Sequence, residues 1–183
     1  SIFRGTFEGC NLYTWLHEKI WPIEAELTED QVYDATMLSI LEMISTGTTC
    51  VNDHYFFSKK IRQALEESKM RAVLTRVLMD SDGKEASEQR INEFIDLYET
   101  RDKNNNLITY TVSPHSLYTC SDALLEKSKE LAIKYNLPIH THFLESIDEI
   151  EDIQKLHGEE ASKVLKKYFD GIHLISVSYT HLT

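Results

Sequence analysis

The side chains best suited to chemistry in this sequence are two histidines and a glutamate in the run Pro138-Ile-His-Thr-His-Phe-Leu-Glu145. The run is strand-like, and side chains on a strand alternate between its faces, so His140 and His142 point the same way. Glu145 follows three residues after His142, where the backbone should be leaving the sheet. Neutral imidazole is the commonest ligand for zinc-like metals, and a nearby carboxylate can move a proton to or from metal-bound water. This spacing suggests metal-assisted hydrolysis.

The elements that must position these groups read as strands alternating with amphipathic helices. Strand-like runs cover 48–51, 71–78, 107–113, 138–143 and 171–176. The clearest helix follows Thr28, which makes a capping box with Gln31 while Leu27 and Val32 form a hydrophobic staple. Its apolar face continues through Thr36, Ile40, Met43 and Ile44, and Gly47 stands where a C′ glycine belongs. Further helices are expected over 58–68 and 85–98, from Ser121 toward Asn136, and over 147–168 with an interruption at His157-Gly158. The acidic run Asp148-Glu149-Ile150-Glu151-Asp152 reads as a solvated helix N-terminus that suits the macrodipole.

Strands that recur with one helix between them predict βαβ units and a parallel sheet, open or closed. The six glycines are scattered, so a glycine-rich phosphate loop that would favour an open nucleotide-binding sheet is missing. In a closed (β/α) barrel, chemistry gathers at the C-terminal ends of the strands. Asp53, His115, His142 and Glu145 all fall there.

With 183 residues the chain can bury a substantial core, and a formal charge of −11 argues against a nucleic-acid partner. Three cysteines, Cys10, Cys50 and Cys120, have no C-x-x-C spacing, which points to a reducing, cytoplasmic setting. No apolar run approaches transmembrane length, so no membrane partner is expected. The chain begins without Met, as a piece of a longer protein would.

Five stretches, in order, resemble the amidohydrolase superfamily, and within it the 5′-methylthioadenosine/S-adenosylhomocysteine deaminases. They are Ser1-Ile-Phe-Arg-Gly5, Trp15-Leu with Trp21-Pro-Ile-Glu24, Gly47-Thr-Thr-Cys-Val-Asn-Asp53, Ser113-Pro-His-Ser-Leu-Tyr-Thr119 and Ile139-His-Thr-His-Phe-Leu-Glu145. The resemblance implies an α/β fold, a partial (β/α)8 TIM-type barrel holding about strands 2 to 6 over residues 1–176. It implies one divalent metal, zinc first, with iron, manganese and nickel as alternatives. His142 would bind that metal, and Glu145 would pass the proton of the attacking water to departing ammonia. His115 would steady the intermediate, and Glu24 would accept the ribose hydroxyls of an adenosine-type, small-molecule nucleoside. Arg76 could meet a substrate carboxylate or be buried beside a carboxylate partner. His140 is expected to be structural, as is Asp53; Trp15 and Trp21 are expected to pack, and Cys120 to be no nucleophile.

The pattern also breaks. The family's site takes a His-x-His pair from the first strand, a further His after the H-x-x-E strand and an Asp from the last strand. None is visible; His173 is expected mid-strand and His181 is out of register. The tail from Val177 resembles translated adapter sequence and is expected to be foreign, native sequence ending near Ser176. Such a fragment should lack deaminase activity, while its parent deaminates an adenosine derivative and can be a homo-oligomer. Guanine or cytosine deamination, triazine chlorohydrolysis and a non-catalytic α/β binding module are the alternatives.

Overall fold

A computed structural model describes residues 3, 5, 9 and 14–177 of the chain. The described residues fall into two compact units, one within Ser1–Val51 and Phe57–Ala72, the other within Asn52–Phe56 and Val73–Thr183.

The first unit is mainly helical. A π-helical turn, Trp15–Ile20, runs into the short α1 (Trp21–Glu24), where Pro22 occupies the first turn that tolerates it. The long α2 (Glu29–Ser45) starts at the expected capping box: Thr28 N–H donates to Gln31 Oε1 at 2.9 Å, and Gln31 N–H to Thr28 Oγ1 at 3.3 Å. It packs against α3 (Ser58–Ser68), burying Val32, Ile40, Ile61, Ala64 and Leu65, with Lys60 paired to Asp30 at 3.0 Å. Ile44 departs from the expected inward face and is 54% exposed. With Leu38 and Leu41 it forms a second apolar stripe at three-residue spacing, rotated away from the α3 contact.

The second unit carries the parallel strands. Strands β1 (Cys50–Asn52) and β2 (Arg71–Leu74) straddle the two units, and β1, β2 and β4 (Ile108–Tyr110) are hydrogen-bonded in that order. Extending the same lines, β3 (Val77–Leu78) pairs in parallel with β5 (Ser113–Pro114). Strand β6 (Ile139–His142) pairs in parallel with β7 (Leu174–Val177), and parallel bridges Val112–Ile139 and Ser116–His142 join β6 to the β5 line. The expected strand 107–113 is split because its bonds alternate: Thr111 N–H donates to Leu74 O and Val112 N–H to Pro138 O. The final strand begins at Leu174, later than expected, because Gly171 (φ 77°) turns the chain. His173 therefore precedes the strand, and its carbonyl accepts from Ile139 N–H at 2.9 Å. The ladder continues to Val177; residues 178–183, including His181, and most of the first stretch of resemblance lie outside the described residues.

Four helices connect and cover these strands: α4 (Lys84–Glu99), α5 (Asp122–Tyr135), α6 (Ile147–His157) and α7 (Ala161–Phe169). Ser121 caps α5 as expected, and the expected interruption at His157-Gly158 separates α6 from α7. Between them lies one core built on Phe94, Val112, Leu117, Leu125, Ile139, Ile153 and Val164. Parallel strands joined by helices in chain order are the architecture of a partial (β/α)8 barrel.

Candidate active site at the strand ends

The ends of β1, β5 and β6 bring four imidazoles together in the second unit. His142 N–H donates to the carbonyl of His115 at 2.9 Å, so the ends of the β5 and β6 lines are locked in register. Their rings lie 5.1 Å apart, centre to centre, edge to face. His54, just beyond β1, stacks on His142 at 4.7 Å with planes 17° apart. It also lies 4.6 Å from His140 and 5.7 Å from His115.

The hydrogen bonds around His54 fix its tautomer by elimination. Ser113 Oγ gives its one proton to the carbonyl of His140 at 2.6 Å, so toward His54 Nε2, 3.1 Å away, it can only accept. Nε2 therefore carries hydrogen. Burial, and then the facing imidazoles, hold His54 far below the usual histidine range, so the ring is neutral and Nδ1 is a bare lone pair. Burial likewise lowers His115 and His140 to about 4, with His142 reinforcing both shifts. His142 is also lowered, chiefly by burial. At neutral pH the cluster is uncharged.

His115 Nδ1 lies 2.9 Å from Thr119 Oγ1, which also meets Ser116 Oγ at 2.8 Å, so the loop after β5 fastens that ring. Tyr118 sits edge-on to His115 at 6.3 Å. Burial, reinforced by the carboxylates of Glu145 and Glu149, lifts its phenol to about 12. Glu145 is half-buried on the turn between β6 and α6, and desolvation raises its carboxyl above the ordinary range. Cys120, fully buried, donates to Leu78 O at 3.4 Å and is pushed up to about 12 by burial, which keeps it a thiol.

The remaining sequence candidates sit elsewhere. Arg76 is buried beside a carboxylate partner: Nε donates to Glu93 at 2.6 Å, Nη1 donates to the carbonyl of Val77 at 2.8 Å, and the guanidinium stacks over Phe56. Glu24 ends α1 in the first unit, where Trp21 packs edge-on against His17 at 4.1 Å. Asp53 stands at the strand end with Oδ2 buried and unpartnered, and desolvation lifts the carboxyl to about 7.

Sequence reading passed over three residues here. His54 needed only the strand-end argument already applied to its neighbour Asp53, because β1 ends at Asn52. Tyr118 had no signal beyond its place between His115 and Thr119. Glu149, expected on a solvated helix N-terminus, is instead 2% exposed. Its spacing from Ser146 is that of a capping box, and Glu149 N–H does donate to Ser146 Oγ at 3.2 Å.

The donor set suits a metal in chemistry but not in number. Neutral imidazoles are the protonation state that ligates, and His54 Nδ1 with both ring nitrogens of His140 are buried without protein partners. Yet among the described residues no three His, Cys, Asp or Glu side chains converge as a metal site requires.

Among the known proteins similar to this chain are three deaminases. A 5′-deoxyadenosine deaminase of Methanococcus aeolicus is 40% identical over 186 residues, covering all of this chain and 44% of that protein. A 5-methylthioadenosine/S-adenosylhomocysteine deaminase of Thermodesulfovibrio yellowstonii is 42% identical over 171 residues, covering 90% and 38%. A solved adenosine deaminase from Xanthomonas campestris with bound zinc superposes with a TM-score of 0.85 at 30% identity, covering all of this chain and 42% of that one. The chain thus spans less than half the length of these relatives. The family model for amidohydrolases matches residues 1–183, and the chain belongs to the amidohydrolase family.

Proposed function

We propose that this chain is a segment of a metal-dependent aminohydrolase that converts an adenosine derivative and water to the inosine derivative and ammonia. The observation that supports this most is the backbone bond between His142 and His115, which brings together two residues 27 apart in sequence at one end of parallel strands. The nucleoside class follows from the deaminases at 40% and 42% identity. In this reading His142 is one ligand of a divalent ion, zinc by preference, and the other ligands come from the rest of the parent.

The roles of the chain's own residues follow from their surroundings. Glu145, its pKa raised by desolvation, is suited to taking a proton from water and giving it to the leaving amine. His115, neutral and tethered to Thr119, stabilises charge on the attacked purine ring by hydrogen bonding. Glu24 accepts the two ribose hydroxyls, whose spacing suits one carboxylate. Arg76 would reach a substrate carboxylate only by loosening from Glu93, so we assign it to the scaffold. The acidic charge fits a small nucleoside rather than a nucleic acid, and no helix among the described residues is long and apolar enough to cross a membrane. We place the parent in the cytoplasm.

Ammonia release from S-adenosylhomocysteine, 5′-methylthioadenosine and guanine by the complete enzyme tests this reading. Turnover of the nucleosides that is lost on Glu24→Ala supports it; turnover of the free base alone would move the assignment to a guanine deaminase. The incomplete ligand set favours a second reading for the isolated chain, a non-catalytic α/β module. Tight stoichiometric zinc binding in equilibrium dialysis, lost on His142→Ala, would exclude it.

A further inference from the structure

We infer that Glu149 is a positioning residue that holds the backbone of Glu145 in its working place. The inference rests on the role proposed for Glu145. Its carboxylate turns back from the first turn of α6 and accepts two backbone hydrogen bonds, from Leu144 N–H to Oε1 at 3.1 Å and from Glu145 N–H to Oε2 at 2.6 Å. Charge-assisted bonds of this kind are shorter and about twice as strong as neutral ones. The group is 2% exposed, so two amide protons replace water as its partners.

The backbone it grips requires a grip. Leu144 has a positive φ of 56°, a left-handed conformation that is strained for a residue carrying a Cβ. Leu144 is also 39% exposed, so packing does little to hold it. This turn sets where Glu145 leaves the sheet, two residues after the β6 ladder ends with Phe143 N–H donating to Val177 O at 3.2 Å. Ser146 completes the device by accepting from Glu149 N–H, which fixes the start of α6 and with it the origin of the Glu149 side chain. An ordinary capping box returns the glutamate to the N-cap amide. Here the carboxylate reaches one and two residues further back, onto the catalytic candidate itself.

Amide hydrogen exchange on the 183-residue chain tests the grip without reference to any reaction. Leu144 and Glu145 should be protected, and Glu149→Ala should speed exchange at both by about tenfold or more while core amides such as Ile139 are unchanged. Glu149→Gln, with one oxygen left to accept, should release only one of the two. Ser146→Ala, which keeps the carboxylate but loosens its origin, should speed exchange at both amides by less than Glu149→Ala does. Unprotected amides in the parent chain, or a Glu149→Gln variant with both still protected, would overturn the grip. In the complete enzyme, Glu149→Gln should lower kcat about tenfold with KM within about twofold. An unchanged kcat despite released amides would overturn the positioning role. Loss of protection together with an enzyme that deaminates nothing would leave the grip standing and refute the reading of Glu145.

Discussion

Asp53 shows how a single strand-end residue can shape the stability of the whole chain. Its carboxyl is lifted from 3.8 to about 7 by desolvation, so the folded state binds the proton more tightly than the unfolded state does. Between about pH 4 and 7 only the unfolded chain gives the proton up, and stability falls as pH rises through that window. Asp53→Asn should remove this slope. Urea denaturation at several pH values would show it as a loss of about 1 kcal/mol per pH unit in the parent relative to the variant. Residues of this kind mark where the sequence was legible and where it was not. His115, His142 and Glu145 could be placed around strand ends because that spacing is a local pattern, and the structure has them there. Arg76 could not, because the choice between substrate and Glu93 depends on a helix turn 17 residues away. Glu149 was misread because charge in a helix first turn is solvated by default, and only the reversal of the chain at Leu144 buries it.

At the scale of elements, most boundaries followed from caps and periodicity. Thr28, Ser121 and Gly158 all act where their residue types predict. Thr28→Ala should cost about 1 kcal/mol in thermal or denaturant unfolding, since the capping box loses its hydroxyl acceptor and its reciprocal geometry. No measurable change would mean that α2 is held by its packing on α3 alone. The split strands were less legible, because backbone bonds that alternate between two neighbours, as at Thr111 and Val112, depend on partners far away in sequence. The π-helical turn Trp15–Ile20 has no sequence rule behind it, and the structure gives no physical account of it.

At the scale of the molecule, the chain spans 44% of a relative, and among its described residues no three His, Cys, Asp or Glu side chains converge on a metal site. We expect this polypeptide alone to release ammonia from S-adenosylhomocysteine at no more than the uncatalysed rate. An ordinary enzymatic rate in a stopped ammonia assay would overturn that expectation. Whether Glu145 moves the protons of a hydrolytic deamination is read from kcat for ammonia release by the complete enzyme and its Glu145→Gln variant. The expected loss is about 10²–10⁴-fold with nucleoside binding retained; a variant that turns over at the unmutated rate would refute that role for Glu145.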